Sequence, residues 1–282
     1  YAAARIMAEE QRHGWQMAYL LMTYFGQQGR REAQKLLERN AQDGDRLLGA
    51  FNIPMPHWLD FFCYTMFVDR DGKFQLGMLS TSAFKPLAAS MGPMLKEESF
   101  HLGTGSNGLR RIIKAGVIPL DMLQRYINKW VSTAHDLFGV DASSSAHWAY
   151  VWGIKGRWDE RKKLDAGVEV NKEVLNEESR GHYHQEIVGE VRKLCGYLPE
   201  GAEELYVPHE NFNRAIGATK GQHFNVDGTP FEGSEEDYAA YLAEVLPTDQ
   251  DELDLQELFK QEWIANKPMS TRQIESGIGA SA

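Results

Sequence analysis

The chain has 282 residues, 43% hydrophobic and 25% charged, which is the composition of an ordinary folded protein with room for a substantial core. Its formal charge of −10 argues against a general affinity for nucleic acid or anionic membranes, so no nucleic-acid or membrane partner is expected. Only two cysteines, Cys63 and Cys195, are present, so a disulfide framework, an iron–sulfur cluster and a structural zinc finger are all excluded.

Residues 1 to about 25 predict a helix with a stripe at Ile6, Glu10, His13, Met17, Leu20 and Tyr24, in steps of three and four. This helix opens without a start methionine or a capping residue, so an N-terminal portion is expected to be missing. A second helix is predicted over about 29–39, and the polar run 40–45 supplies a turn. After Pro54 and Pro56, residues 57–68 are apolar nearly all round, as in a helix buried on several sides. The run Asp69-Arg70-Asp71-Gly72 predicts a break before another helical stretch at 74–84.

The next helix is punctuated by Pro86 and Pro93. It carries Leu87, Met91, Met94, Glu98, His101 and Leu102 on one face, and Gly103–Gly108 is expected to loosen it. Further helices are predicted at 119–138, 144–163 and 168–196. The reading is an all-α core over 1–198, a four-helix bundle with additional helices. An irregular extension, 199–282, is expected to pack on that core; 234–266 is acidic and amphipathic, and the last dozen residues are expected to be disordered. No uninterrupted apolar run approaches the ~20 residues of a membrane span, and no signal peptide is evident, so a cytoplasmic location is expected.

Two segments share one pattern: Glu9-Glu10-Gln11-Arg12-His13 and Glu97-Glu98-Ser99-Phe100-His101. On a helix, positions i and i+3 share a face, so Glu10 pairs with His13 and Glu98 with His101. Counting alone does not make two such pairs significant, but both replace apolar residues on a core stripe. A buried carboxylate persists when it is paired or bound to metal. Asp69 adds a third carboxylate, with Asp71 a weaker candidate. Two bundle helices bearing Glu-x-x-His, with further carboxylates from two others, is the ligand pattern of ferritin-like di-metal proteins. Carboxylate-rich sites with one imidazole per ion suit iron or manganese. One buried Glu–His contact is ordinary bundle packing; two with the same offset are better explained by a shared metal centre.

The segment Glu-Glu-Gln-Arg-His at 9–13 resembles the Glu-x-Arg-His motif of ferritin-like di-iron proteins. Asp69-Arg70-Asp71-Gly72-Lys73-Phe74-Gln75-Leu76 and Met94–His101, continuing through His147-Trp148 and Trp152, resemble the catalytic subunits of aryl-CoA epoxidases over about 1–268. The resemblance implies a non-haem di-iron monooxygenase. It would use O2 as co-substrate to epoxidise the ring of benzoyl-CoA at positions 2,3, with phenylacetyl-CoA the alternative. Electrons would come from NADPH through a separate flavin and iron–sulfur reductase. Glu10 and His13 would bind one iron, Glu98 and His101 the other, and Asp69 would be the helix-end carboxylate. The earliest glutamate ligand of that family has no counterpart in this sequence.

Met17, Phe62, Met66, Met94 and Phe100 are candidate walls for the ring. Two basic groups are candidate phosphate contacts: Arg110, Arg111 and Lys114, and the cluster Lys155, Arg157, Arg161, Lys162 and Lys163 interleaved with Trp152 and Trp158. Gly103-x-Gly105-x-x-Gly108 follows a helix rather than a strand and is not read as a dinucleotide site. Glu177–His184 and the lone His147, His209 and His223 are left as structural. A ferritin-like iron-storage or ferroxidase subunit is the more distant alternative. It fits poorly with the long segment after the bundle. A radical-storing subunit would need a tyrosine beside the metal, and neither Tyr19 nor Tyr24 lies in a matching motif.

Overall fold

A computed structural model describes residues 1–46, 48–160 and 165–260. The helices are α1 (Ala2–Tyr24), α2 (Gly26–Glu38), α3 (Trp58–Leu79), α4 (Lys85–Ala115), α5 (Leu120–Leu137), α6 (Ser144–Val151), α7 (Leu175–Cys195), α8 (Glu235–Val245) and α9 (Asp249–Lys260). Among the described residues there is no strand, only an isolated bridge between Phe224 and Pro230. Tyr1–Leu246 form one compact unit and Pro247–Ala282 a second. In the second unit Thr248 and Asp251 cap α9 reciprocally, backbone to side chain, at 2.8 and 3.3 Å. The last dozen residues lie outside the described residues.

The first unit is an all-α, ferritin-like bundle centred on α3, which packs chiefly against α4 and α5, while α1 pairs with α2 and α4. The all-round apolarity of residues 57–68 is explained by this position: Cys63, Met66, Phe67, Phe74 and Met78 are essentially fully buried. Each large apolar side chain buried in this way contributes ~1.5–3 kcal/mol of transfer free energy. The amphipathic α5 covers α3 with Leu123, Tyr126, Ile127, Trp130 and Val131.

The break expected at Asp69–Gly72 is absent, because α3 runs through it without interruption. Tertiary partners satisfy the charges that looked like a helix end. Arg70 donates to Glu186 on α7 and to the Met66 carbonyl, and Asp71 accepts from Gln75 at 3.1 Å. Asp69 therefore sits in mid-helix and not at a helix end.

Nor does the glycine run loosen α4, which continues to Ala115 and ends on Gly116 at φ 61°, whose N–H caps the Ile112 and Ile113 carbonyls. Those glycines let two helices touch. A Cβ at Gly105 would lie 2.5 Å from the Met66 backbone nitrogen, and one at Gly108 would lie 2.2 Å from the Phe62 ring. The predicted helix 144–163 stops at Val151, where Gly153 takes φ 64°, and the one predicted from 168 begins at Leu175.

Candidate metal centre

Three helices bring the predicted ligands to one place. Glu10 and His13 come from α1, Asp69 from α3, and Glu98 and His101 from α4. His101 Nδ1 is the focus: it lies 3.2 Å from Glu10 Oε1, 3.6 Å from Glu98 Oε2 and 3.8 Å from Asp69 Oδ2. His13 Nδ1 faces Glu10 Oε1 at 3.6 Å. One ligand atom from each of Glu10, Glu98 and His101 can be chosen so that all lie within 4.8 Å of one another, a spacing that one cation can span.

The electrostatics are those of a site short of positive charge. Burial, together with the neighbouring Glu98 and Glu10, pushes Asp69 well above the usual carboxylate range. Burial raises Glu98 as well, against the opposing effect of the nearby His101. For His101, burial alone would lower the pKa, but the Glu10 and Glu98 carboxylates beside its Nδ1 raise it to about 10. Burial would raise Glu10, yet the two histidines hold it at about 2, with half its side chain exposed. Three of the converging atoms, Asp69 Oδ2, Glu98 Oε2 and His101 Nδ1, are buried with no hydrogen-bond partner among the described residues. Such orphaned groups cost ~1–3 kcal/mol each unless something binds them. Three carboxylates and two imidazoles, three of whose buried atoms lack hydrogen-bond partners, fit a carboxylate-rich metal centre.

The imidazoles are oriented from behind. His101 Nε2 meets Glu9 Oε2 at 2.9 Å, and His13 Nε2 meets Glu97 Oε2 at 2.8 Å. The first glutamate of each Glu-Glu-x-x-His segment thus crosses to the histidine of the other. A carboxylate on Nε2 keeps a proton there, so that a cation displacing the Nδ1 proton would meet a lone pair turned toward the cluster. Arg5 pairs with Glu9 at 2.9 Å and Arg12 pairs with Glu97. The sequence reading missed Glu9 and Glu97, although the doubled glutamate in both segments was the signal. It also missed Tyr64, a half-buried phenol whose pKa is pushed well above its ordinary value by burial and then by Asp69, and which meets Trp130 edge-on at 5.3 Å. Tyr19 and Tyr24, by contrast, are exposed.

A cavity of about 530 Å³ opens between the start of α1, the start of α3 and the middle of α4. Trp58, Phe61, Phe62 and Phe100 give it aromatic walls, and Arg111 lies in its lining. Of the expected walls, Phe62 and Phe100 are there. Met66 and Met94 are buried core residues, and Met17 does not line it. Arg110 and Lys114 lie over Tyr197, at 5.7 and 4.6 Å from the ring.

The described cations of the second basic cluster are engaged internally. Lys155 donates to Gln75 and Asn176, Arg157 pairs with Asp159 and Glu178, and Trp158 packs on Phe74. Arg161, Lys162 and Lys163 lie outside the described residues. Asp71 is buried and accepts from Gln75, and burial pushes it up to about 7 against that hydrogen bond, with the charge of Glu98 adding to the rise. In the Glu177–His184 segment, Glu177 pairs with Arg180 and Glu178 with Arg157, while His184 meets His135 at 3.3 Å. No described helix is long and apolar enough to cross a membrane.

Residues 2–206 match the family described as phenylacetic acid catabolic protein. The chain is also 36% identical, over 293 aligned positions, to benzoyl-CoA oxygenase component B of Aromatoleum evansii, an alignment covering 88% of this chain. It spans 61% of that relative's length. The family match extends across α1, α3 and α4 and therefore includes every residue of the carboxylate–histidine cluster, so the chain belongs to the phenylacetic acid catabolic protein family.

Proposed function

We propose that this chain holds a di-iron centre and acts as a monooxygenase on the aromatic ring of an aryl-CoA thioester, with benzoyl-CoA the substrate and its 2,3-epoxide the product. The observation that carries this reading is the convergence of Glu10, His13, Asp69, Glu98 and His101, with three buried polar atoms lacking partners. Glu10 and His13 would hold one iron and Glu98 and His101 the other, with Asp69 as a further carboxylate and one glutamate shared. Bound iron would supply the O2 activation that amino-acid side chains cannot.

The protein's own groups do the rest. Glu9 and Glu97 hold the two imidazoles with Nδ1 turned inward. The aromatic cavity offers flat apolar walls to an aryl acyl group. Arg111, in the same lining, offers a guanidinium to a phosphate of the thioester's tail. Electrons would arrive from NADPH through a separate flavin and iron–sulfur reductase. The relative's designation as component B supports a multi-component system, and its name supports benzoyl-CoA over phenylacetyl-CoA.

The test uses the full-length polypeptide with iron, a chemical reductant and O2, comparing benzoyl-CoA, phenylacetyl-CoA and free benzoate by mass spectrometry. Epoxide from benzoyl-CoA is the expected product. Oxygenation of benzoate but not of its thioester removes the CoA assignment.

A further inference from the structure

The contacts that orient His101 do not end at Glu9. Glu9 uses Oε2 for His101 and Oε1 for Arg5, whose Nε sits 2.9 Å away. The same guanidinium lies over the ring of Phe100, 3.9 Å from its centroid. Phe100 lines the aromatic cavity, while its sequence neighbour His101 is fully buried at the cluster. One arginine therefore touches both the cavity wall and the carboxylate that sets the imidazole. A guanidinium is a rigid plane that is charged at every working pH, so a tilt of the ring beneath it re-aims the N–H it gives to Glu9. Arg12 makes a natural comparison: it pairs with Glu97 behind His13, and neither residue lines the cavity.

We propose that Arg5 is a positioning residue that couples occupancy of the aromatic cavity by an aryl-CoA thioester to the seating of His101 at the metal centre. This rests on the proposed function and adds a regulatory link to it. Coupling of this kind is reciprocal: the ligand changes metal affinity and the metal changes ligand affinity by the same factor, typically ~5–150-fold.

The test is an anaerobic titration of the full-length protein with Co(II), a spectroscopic stand-in for the native metal, with and without benzoyl-CoA. In the wild type, benzoyl-CoA shifts the Co(II) absorption bands and changes the Co(II) dissociation constant by ~5-fold or more. In Arg5→Gln, both ligands still bind, but the spectral shift disappears and the change in affinity falls below ~2-fold. Phe100→Leu, which keeps an apolar wall and removes the ring, behaves in the same way and carries the test should Arg5→Gln fail to fold. Arg12→Gln weakens Co(II) binding yet keeps the benzoyl-CoA response. An undiminished response in Arg5→Gln or in Phe100→Leu overturns the proposal. So does a wild type that binds both ligands without either sensing the other, an outcome that leaves the metal reading standing. Absence of Co(II) binding in the wild type overturns the metal reading and the proposal together.

Discussion

Glu9 and Glu97 separate two roles that a carboxylate can play at this site. Neither is among the three residues whose ligand atoms cluster, yet each accepts a hydrogen bond from the Nε2–H of a histidine whose other nitrogen turns inward. Arg5 and His101 outweigh the effect of burial and hold Glu9 below the usual carboxylate range, so it stays an acceptor at neutral pH. Replacing either glutamate by glutamine keeps the shape and removes the charge. Glu9→Gln and Glu97→Gln are expected to weaken Fe(II) affinity by ~10–100-fold with little change in fold, as carboxylates behind metal-bound histidines do. Metal titration alongside circular dichroism checks this; unchanged affinity in both variants would remove the crossed pairing from the argument. Glu98→Ala is a stronger lesion. It removes a buried, raised-pKa carboxylate that only a cation satisfies well, so the metal-free protein is expected to keep its helix content and thermal midpoint while bound iron and turnover are lost. Full turnover in that variant would show that the ligand assignment is wrong.

At the scale of the helix, what positions the candidate ligands Asp69, Glu98 and His101 is the closeness of α3 and α4. Gly105 rests on the backbone of Thr65 and Met66 one turn before Asp69, and Gly108 rests on Phe62. Alanine at Gly105 has nowhere to go without moving backbone, whereas Gly189 inside α7 has open space. Gly189→Ala is expected to stabilise by ~0.5–1 kcal/mol through helix propensity. Gly105→Ala is expected to destabilise by ~1–3 kcal/mol from overpacking and to loosen metal binding, because it pushes Asp69 away from Glu98. Denaturant unfolding with parallel metal titration checks the pair, and equal midpoints would show that the helices are not in register through glycine.

This element also marks how far the sequence was legible. Periodicity located α1, α3 and α5 and put His13, Glu98 and His101 on inward faces, whereas Glu10 keeps half its side chain exposed and its neighbour Glu9 is the buried one. It misread Asp69–Gly72 as an end and Gly103–Gly108 as a weak point. Both errors share one cause: local rules treat charge and glycine as breakers, but Glu186 and Gln75 satisfy Arg70 and Asp71, and a facing helix occupies the space that the missing Cβ atoms leave. The crossed Glu–His bonds were out of reach because they depend on how α1 lies against α4, which one-dimensional spacing does not encode.

For the whole molecule, the cluster makes stability depend on pH in a direction set by which groups bind protons in the folded state. In the metal-free protein, His101 is raised from 6.5 to about 10, so its contribution is fully present below 6.5 and lost as pH rises through about 10. Asp69 and Glu98, raised by burial, act in the same direction as pH climbs above the ordinary carboxylate range, while the fall from pH 7 to 9 rests on His101. Glu10, held at about 2, works oppositely, and its contribution is lost only as pH falls from the ordinary 4.5 through about 2. Buried His135, whose pKa is lowered well below 6.5, adds stability with rising pH only up to about that value. Between pH 7 and 9 the thermal midpoint of the chelator-treated protein is therefore expected to fall steadily. The slope should be shallower in His101→Gln. Loading with Fe(II) should reverse the trend, because metal competes with protons for the same atoms and binds more tightly as pH rises, so the gap between loaded and metal-free midpoints widens from pH 7 to 9. Scanning calorimetry of both forms across that range decides the matter: a metal-free midpoint that rises with pH, or a gap that narrows, would mean that these side chains do not share a proton-or-metal site.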